Sequence, residues 1–196
     1  ESHKKIMRII SGKFKNKKID FPENLKTRPL KDSVRENIFN ILSHSNNISM
    51  NIKNAEVLDL YAGSGSFGLE CISREASKVV FVENDLDALS NLNKNIEKLD
   101  SKNKTVLFTE DVLKFLNTLN LKVYKKKFNI IFLDPPYQDK NCVEVIRKIK
   151  EEELLNKEHV VVIHRELKSE DSISDLLNII DKRIYGRSEI FFGVFF

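Results

Sequence analysis

The stretch from Val57 to Glu70 constrains the fold of this chain more than any other. It predicts a short apolar strand, then a turn with Gly63, Gly65 and Gly68 at the spacing G-x-G-x-x-G, then a helix. Glycines at this spacing permit a tight turn, a close approach of the backbone to a ligand, and close packing of the helix on the strand. The pattern therefore favours a nucleotide-cofactor site over a purely structural turn.

A carboxylate stands at the distance that such a site requires. Glu83 follows Gly63 by 20 residues and comes directly after a second apolar run, residues 79–82. There it can accept hydrogen bonds from both hydroxyls of a ribose. Asp59 lies just before the turn, where it would repel the pyrophosphate of a nicotinamide dinucleotide. An acid at that place suits a cofactor with a positively charged end, such as S-adenosylmethionine.

The rest of the chain continues the alternation of strand and helix, which predicts a doubly wound, mostly parallel α/β sheet. A further helix is predicted to begin at Asp32 as its N-cap. The predicted strands occupy residues 56–60, 78–83, 104–108, 128–133 and 158–163, and the predicted helices occupy residues 66–74, 85–99, 111–120 and 140–150, with a poorer one at 172–178. Segments 179–185 and 189–196 predict a C-terminal antiparallel hairpin at the sheet edge.

Length and composition predict one well-buried domain, since 41% of the 196 residues are hydrophobic. No apolar run approaches the roughly 20 residues of a membrane span, so we expect a soluble, cytoplasmic protein without membrane partners. Cys71 and Cys142 fall on apolar helix faces and predict buried free thiols. The four histidines are scattered without ligand spacing, which predicts no metal site. We expect a monomer.

Basic residues are concentrated at the N-terminus. Residues 1–31 carry ten lysines and arginines against three acids, whereas the remainder carries 23 against 26. We therefore divide the chain into a basic extension, residues 1–31, and a catalytic domain, residues 32–196. Within the extension, the sequence pattern predicts a hairpin of two strands, residues 6–11 and 13–21. Its candidate contacts to RNA phosphates are Arg8, Lys13, Lys15, Lys17 and Lys18. A solvated edge that blocks aggregation is the alternative for these lysines.

A second informative motif, Asp134-Pro135-Pro136-Tyr137, follows the predicted buried strand 128–133. Its two prolines fix the backbone and remove two N–H donors, which leaves carbonyl and carboxylate acceptors facing the crevice at the strand end. Acceptors aimed at one point beside an aromatic ring match the exocyclic amine of a flat base. We assign all four residues as candidate catalytic residues, with a plain Pro-Pro turn as the alternative.

Asp111 follows the third predicted strand. Its carboxylate can accept a hydrogen bond from the amino group of adenine or cap the helix that follows, and one residue can do both.

These motifs resemble the series found in class I S-adenosylmethionine-dependent methyltransferases, and D-P-P-Y resembles the amino-group signature of their N-methylating branch. A more specific resemblance is to the RsmD family. It is carried by Met7-Arg8-Ile9-Ile10-Ser11-Gly12, Thr27-Arg28-Pro29 with Asp32, Val34-Arg35-Glu36, Phe39-Asn40, Phe67-Gly68-Leu69-Glu70, Ser73-Arg74 and Tyr185-Gly186-Arg187.

The resemblance implies a Rossmann-like class I fold and methyl transfer from S-adenosylmethionine to N2 of a guanine in 16S ribosomal RNA. The implied partner is ribosomal RNA within the small subunit or an assembly intermediate. With these motifs, the candidate cofactor contacts are Asp59, Ala62, Gly63, Ser64, Gly65, Gly68, Glu83, Asn84, Asp111, Val112 and Arg28.

Two positions depart from the family pattern. Glu75 stands where glycine is usual after Ser-Arg, and His164-Arg165 stand where an acid is common. We expect neither departure to touch the chemistry. Two other functions stay open, namely an N-methyltransferase for DNA adenine or a protein glutamine amide, and a non-catalytic RNA-binding module.

Overall fold

The computed structural model describes residues 6–21, 29–118, 124, 126–169 and 172–195. The described strands are β1 (Met7–Arg8), β2 (Lys18–Ile19), β3 (Glu56–Leu60), β4 (Lys78–Val82), β5 (Thr105–Phe108), β6 (Phe128–Leu133), β7 (Leu155–Glu166), β8 (Asn178–Tyr185) and β9 (Ser188–Val194). The described α-helices are α1 (Asp32–His44), α2 (Ser66–Ser73), α3 (Leu86–Lys98), α4 (Val112–Asn117) and α5 (Cys142–Glu151).

Seven strands form one sheet in the spatial order β5-β4-β3-β6-β7-β9-β8. The first five strands run parallel to one another, and β9 runs antiparallel to both β7 and β8. β1 and β2 pair separately as a small antiparallel hairpin. This confirms the predicted doubly wound α/β fold with a C-terminal hairpin and an N-terminal extension.

Both faces of the sheet are covered, and successive strand residues supply opposite faces. Val57 packs in a cluster with residues of α1, α2 and α3, whereas Leu58 packs in a second cluster with residues of α4 and α5. The ring of Phe67 on α2 stacks on Phe39 of α1 at 5.1 Å and on Phe132 of β6 at 4.1 Å. Strands buried on both faces are expected to be near-continuous apolar runs, and β4 and β6 are, with Val79–Val82 and Ile130–Leu133, while β3 carries the buried Asp59 between Leu58 and Leu60.

The hairpin of the extension differs from its predicted form. Each strand pairs over only two residues, because residues 11–16 turn tightly and place Gly12 against Ser73 at the end of α2. Met7, Ile9 and Ile19 share the core cluster of α1–α3, so the hairpin packs on the body. The division at residue 31 stays a prediction.

Two local predictions were wrong. Asp32 is the first residue of α1 rather than its N-cap, which is Lys31, and its carboxylate accepts a hydrogen bond from Arg35 Nη2 at 3.1 Å instead. The poorer helix expected at 172–178 is a single 3₁₀ turn, Ile173–Asp175. A segment this short gains little from helix formation, since nucleation is costly.

The burial of side chains bears out the prediction for the two cysteines. Cys71 and Cys142 are buried free thiols. Phe191 and Phe192 are core residues and Phe195 packs against the core, while Phe196 lies outside the described residues. In the part of the chain that the structure describes, no helix has the length and apolar character to cross a membrane.

Candidate cofactor and catalytic site

The candidate site lies where the strand order reverses, between β3 and β6. Leu60 pairs in register with Val82 on β4 and with Leu133 on β6, so these three strands end at the same level. The residues that follow them therefore meet at one edge of the sheet, among them Glu83 and Asp134. In open α/β sheets the crevice at this point is where ligands bind.

The turn after β3 is held by hydrogen bonds from two neighbouring elements. The Ala62 N–H donates to the Val82 carbonyl of β4 at 3.1 Å, and the Gly65 N–H donates to the Ala62 carbonyl at 2.9 Å. The side-chain amide of Asn95 on α3 donates to the Ser64 carbonyl at 2.9 Å. Ala62 and Ser64 thus act through their backbone, which fixes the turn before any ligand binds.

The three glycines of the turn have different surroundings. A Cβ at Gly65 would lie 2.4 Å from the side chain of Leu92, and one at Gly68 would lie 2.4 Å from the ring of Phe81. These two glycines allow close packing of the helix. A Cβ at Gly63 would meet nothing within 4 Å. The backbone at Gly63 therefore borders open space, where a ligand can approach it.

Asp59 lies beneath the turn, with 1% of its surface exposed. Its Oδ2 accepts a hydrogen bond from the Gly68 N–H at 3.1 Å. Burial raises the pKa of its carboxyl well above the usual range, and the nearby acids Asp134 and Glu83 raise it further. This position makes Asp59 a brace for the start of α2, one layer behind the surface of the crevice.

Glu83 is tied to the backbone on both sides of the crevice edge. Its Oε2 accepts from the Gly63 N–H at 2.7 Å, and its Oε1 accepts from the N–H groups of Asn84 and Asp85 at 3.0 Å each. The two carboxylate oxygens offer about four lone pairs, and the three N–H groups occupy three of them, so Oε2 of Glu83 keeps capacity for one ribose hydroxyl.

Asp111 caps α4, since its Oδ1 accepts from the N–H groups of Leu113 and Lys114 at 3.0 and 3.2 Å. The capping role is confirmed, and contact of this exposed carboxylate with adenine stays a prediction. Val112 is buried in the core.

Leu86, which was not among the candidate contacts from the sequence, is 82% exposed at the first position of α3. The exposure of a large apolar side chain at this edge, which only the structure reveals, marks Leu86 as a candidate ligand contact.

His164 contacts the candidate catalytic carboxylate, so the expectation that it stays clear of the chemistry is wrong. Its Nδ1 lies 2.7 Å from Asp134 Oδ1, and its Nε2 lies 2.9 Å from Ser188 Oγ. The contact follows from the sheet register. Leu133 pairs with Ile163, so the next residues on β6 and β7 stand side by side.

The rest of the D-P-P-Y motif forms a turn above the sheet edge. Pro135 is buried, and the Pro136 carbonyl accepts a hydrogen bond from the Asp139 N–H at 2.8 Å. Tyr137 is 70% exposed, so its ring is available for stacking. Burial, followed by the charge of nearby Asp139, raises the pKa of Tyr61. Tyr61, which was not among the candidates from the sequence, directly follows β3 and lies close enough to this loop to be affected by that charge.

The N-terminal hairpin is docked on α2 through the fully buried carboxylate of Glu70. Glu70 accepts hydrogen bonds from the N–H groups of Ile10 at 2.9 Å and Ser11 at 3.0 Å. The Lys13 N–H donates to the Ser73 carbonyl at 2.8 Å. Because α2 also begins in the glycine turn, the hairpin and the cofactor turn are attached to the same helix.

All the candidate phosphate contacts of the hairpin are exposed: Arg8, Lys13, Lys15, Lys17 and Lys18. The ammonium groups of Lys13 and Lys17 lie 5.4 and 5.7 Å from the ring centroid of Phe14, which keeps positive charge together on this surface. The candidate cofactor contact Arg28 lies outside the described residues.

The chemistry of this edge fits S-adenosylmethionine. Glu83, Asp111 and Asp134 present carboxylates, which suit an ammonium, a sulfonium and ribose hydroxyls. Leu86 offers apolar surface for an adenine ring, and Gly63 leaves the backbone accessible. Within the described ranges, no three His, Cys, Asp or Glu side chains converge in a way that could hold a metal ion.

A doubly wound sheet with an antiparallel final hairpin, carrying a glycine turn and a D-P-P-Y loop at the ends of adjacent strands, defines a class I methyltransferase. The solved structure of the protein yhhF of Escherichia coli has this fold. Its TM-score is 0.80 and its sequence identity 26%, with 96% of this chain and 97% of that chain covered.

Two relatives and a family model show to which methyltransferase family the chain belongs. Ribosomal RNA small subunit methyltransferase D of Buchnera aphidicola is 34% identical over 82% of this chain and 78% of its own length. YlbH of Bacillus subtilis is 30% identical, with 92% of this chain and 94% of YlbH covered. The family model described as Conserved hypothetical protein 95 matches residues 7–194. The chain therefore belongs to that family, the RsmD family of S-adenosylmethionine-dependent methyltransferases.

Proposed function

We propose that this protein transfers a methyl group from S-adenosylmethionine to the exocyclic N2 amine of a guanine in small-subunit (16S) ribosomal RNA. The observation that carries the proposal is the Asp134 carboxylate, which is 25% exposed at the end of β6 beside the exposed ring of Tyr137. The name of the Buchnera relative supports ribosomal RNA as the substrate class.

The nucleophile sets the task for the protein. The lone pair of guanine N2 is delocalised into the ring, so the site must localise it and aim it at the methyl carbon. In our proposal Asp134 and the Pro135 carbonyl accept the two N–H hydrogens of the amine, and Tyr137 stacks on the base. We assign the second acceptor to the Pro135 carbonyl, since the Pro136 carbonyl already accepts one hydrogen bond from the Asp139 N–H.

S-adenosylmethionine, when bound, supplies a methyl group made electrophilic by the sulfonium. The residues of this chain supply orientation. Glu83 would hold the ribose, and Asp111 and Leu86 would border the adenine. Fixing the amine and the methyl group in line lowers the activation free energy by on the order of 7 kcal/mol or more. Asp134 need not be a strong base, because the amine becomes acidic only when it is methylated and its proton can then leave to Asp134 or to water.

The basic hairpin would bind the RNA backbone. A guanine must leave its stack to reach Asp134, which costs a few kcal/mol and less in a loop than in a duplex. Phosphate contacts from the exposed lysines would offset that cost. We place the reaction on a partly or fully assembled small subunit, as the resemblance to the family implies.

The test is methyl transfer from radiolabelled S-adenosylmethionine to small ribosomal subunits from a strain that lacks this protein. Naked ribosomal RNA, duplex DNA and a glutamine-containing protein substrate are assayed in parallel, followed by nucleoside and amino-acid analysis. With the wild-type protein we expect label in N2-methylguanosine. With Asp134→Ala we expect no label. The affinity of that variant for the cofactor should stay within a few fold of wild type.

Other outcomes would contradict the proposal in distinct ways. Label in DNA or in glutamine would move the reaction to another planar amine. No label in any substrate would favour the non-catalytic RNA-binding module. Normal turnover by Asp134→Ala would remove the role of that carboxylate.

A further inference from the structure

His164 joins the candidate catalytic carboxylate to the C-terminal hairpin. Its two ring nitrogens are both engaged, Nδ1 at 2.7 Å from Asp134 Oδ1 and Nε2 at 2.9 Å from Ser188 Oγ. The side chains of His164 and Asp134 are only 17% and 25% exposed. Any rotation of the imidazole would therefore break two hydrogen bonds in a site that is partly shielded from water.

The direction of these hydrogen bonds follows from the groups involved. A carboxylate only accepts, so Nδ1 carries the hydrogen and donates it to Asp134. In the neutral ring Nε2 is the acceptor for the Ser188 hydroxyl, and in the charged ring Nε2 donates to Ser188 Oγ; in both forms Nδ1 donates to Asp134. The arrangement engages Oδ1 of Asp134 and assigns Oδ2 to the substrate amine.

The antiparallel end of the sheet makes this contact possible. β9 pairs with β7 so that His164 faces Ile190 and Glu166 faces Ser188. Ser188 is therefore a diagonal neighbour of His164 on the same face of the sheet. It is also the first residue of β9, directly after the Gly186-Arg187 turn.

We propose that His164 is a positioning residue for Asp134 and thereby sets the rate of methyl transfer; this inference rests on the proposed function. Asp134 must hold an amine hydrogen so that the lone pair points at the methyl carbon. A carboxylate free to rotate would do so only part of the time. The hydrogen bond from Nδ1 fixes its orientation, and an error of about 1 Å in such geometry costs on the order of 100-fold in rate.

Two amide substitutions separate positioning from packing. In His164→Asn the amide nitrogen lies close to the place of Nδ1, so the donor to Asp134 is kept. In His164→Gln it lies close to the place of Nε2, so the contact with Ser188 is kept and the donor to Asp134 is lost. Both variants are neutral and polar, and they differ from each other by one methylene.

We expect His164→Ala and His164→Gln to lower kcat about tenfold or more, with KM for the subunit and Kd for the cofactor within about threefold of wild type. His164→Asn should keep kcat within about threefold of wild type. Thermal unfolding confirms that each variant is folded at the assay temperature. Unchanged kcat in His164→Ala, equal losses in the Asn and Gln variants, or a loss confined to KM would overturn the inference.

A second measurement does not depend on the substrate. ¹⁵N NMR of the His164 ring, assigned with His164→Asn, should show the tautomer protonated at Nδ1 in the wild-type protein and its loss in Asp134→Ala. A wild-type ring with no proton on Nδ1 would overturn the positioning role. Absence of wild-type methylation on every substrate would instead refute the proposed function while leaving this result intact.

Discussion

The backbone N–H of Gly63 donates a hydrogen bond of 2.7 Å to the carboxylate of Glu83, which joins the glycine turn after β3 to the end of β4. The spacing of 20 residues that predicted a ribose acceptor is thus also the spacing that closes the turn. Glu83 is at once part of the scaffold and part of the proposed ligand site.

Removal of this carboxylate should weaken cofactor binding. Glu83→Ala loses the proposed ribose contact and the brace on Gly63, and hydrogen bonds to charged groups are worth about 1.5–3 kcal/mol. We expect a rise of about tenfold or more in the Kd for S-adenosylmethionine, measured by calorimetry. The control is Asp87→Ala, an exposed acid on the first turn of α3. Unchanged affinity in Glu83→Ala would contradict the ribose assignment.

The lysines of the N-terminal hairpin should set the salt dependence of RNA binding. We expect neutralisation of Lys13, Lys15, Lys17 and Lys18 to glutamine to weaken binding and to reduce the slope of log K against log salt by about 0.7–0.9 for each lost phosphate contact. Filter binding over a salt series measures both. The matched control neutralises four exposed lysines elsewhere, namely Lys94, Lys104, Lys114 and Lys150. The same slope in both variants would make the hairpin lysines a solvated edge.

Close packing of Gly12 should make the docking of the hairpin sensitive to a single methyl group. A Cβ at this position would lie 2.0 Å from the backbone oxygen of Ser73, so one of the two backbones must move. We expect Gly12→Ala to lower the free energy of unfolding by about 2 kcal/mol or more and to weaken RNA binding.

Gly186 provides the control for Gly12, because its φ is also positive, at 59°, but an added Cβ would meet nothing within 4 Å. Gly186→Ala should therefore cost only the backbone strain of about 1 kcal/mol. Denaturant unfolding compares the two variants, and equal losses would show that contact with Ser73 is unimportant.

Glu75 is strained at the end of α2, where the family usually has glycine. Its φ is 72°, and the Ala76 N–H donates to the Cys71 carbonyl at 2.9 Å, a helix ending that favours glycine at this position. Glu75→Gly should raise the free energy of unfolding by about 1 kcal/mol. Glu75→Ala keeps the strain and should gain nothing. A gain of the same size in both variants would trace it to the charge.

The sequence predicted the parts of this protein that depend on local pattern. The strands β3 and β6 were located at their observed bounds, because buried parallel strands are mostly apolar and these two end at the glycine turn and at the Pro-Pro turn. The glycine turn, Glu83 and Asp134 were found because parallel strands all present the residues after their carboxyl ends to one edge.

The features that the sequence did not predict depend on residues that are far apart in the chain. Nothing local to His164 or Ser188 indicates that they meet at 2.9 Å, because that contact needs the antiparallel register of β7 and β9. The short strands of the N-terminal hairpin likewise follow from its docking on Glu70, which is about 60 residues away in the chain.

The sequence by itself determined the fold class, the family and the two motifs at the ligand-binding edge of the sheet, because these follow from periodicity and from residues near one another in the chain. Only the tertiary structure decided which polar groups pair across the crevice. Hydrogen bonds form over about 3 Å, and strand order and register alone bring Asp134, His164 and Ser188 within that distance.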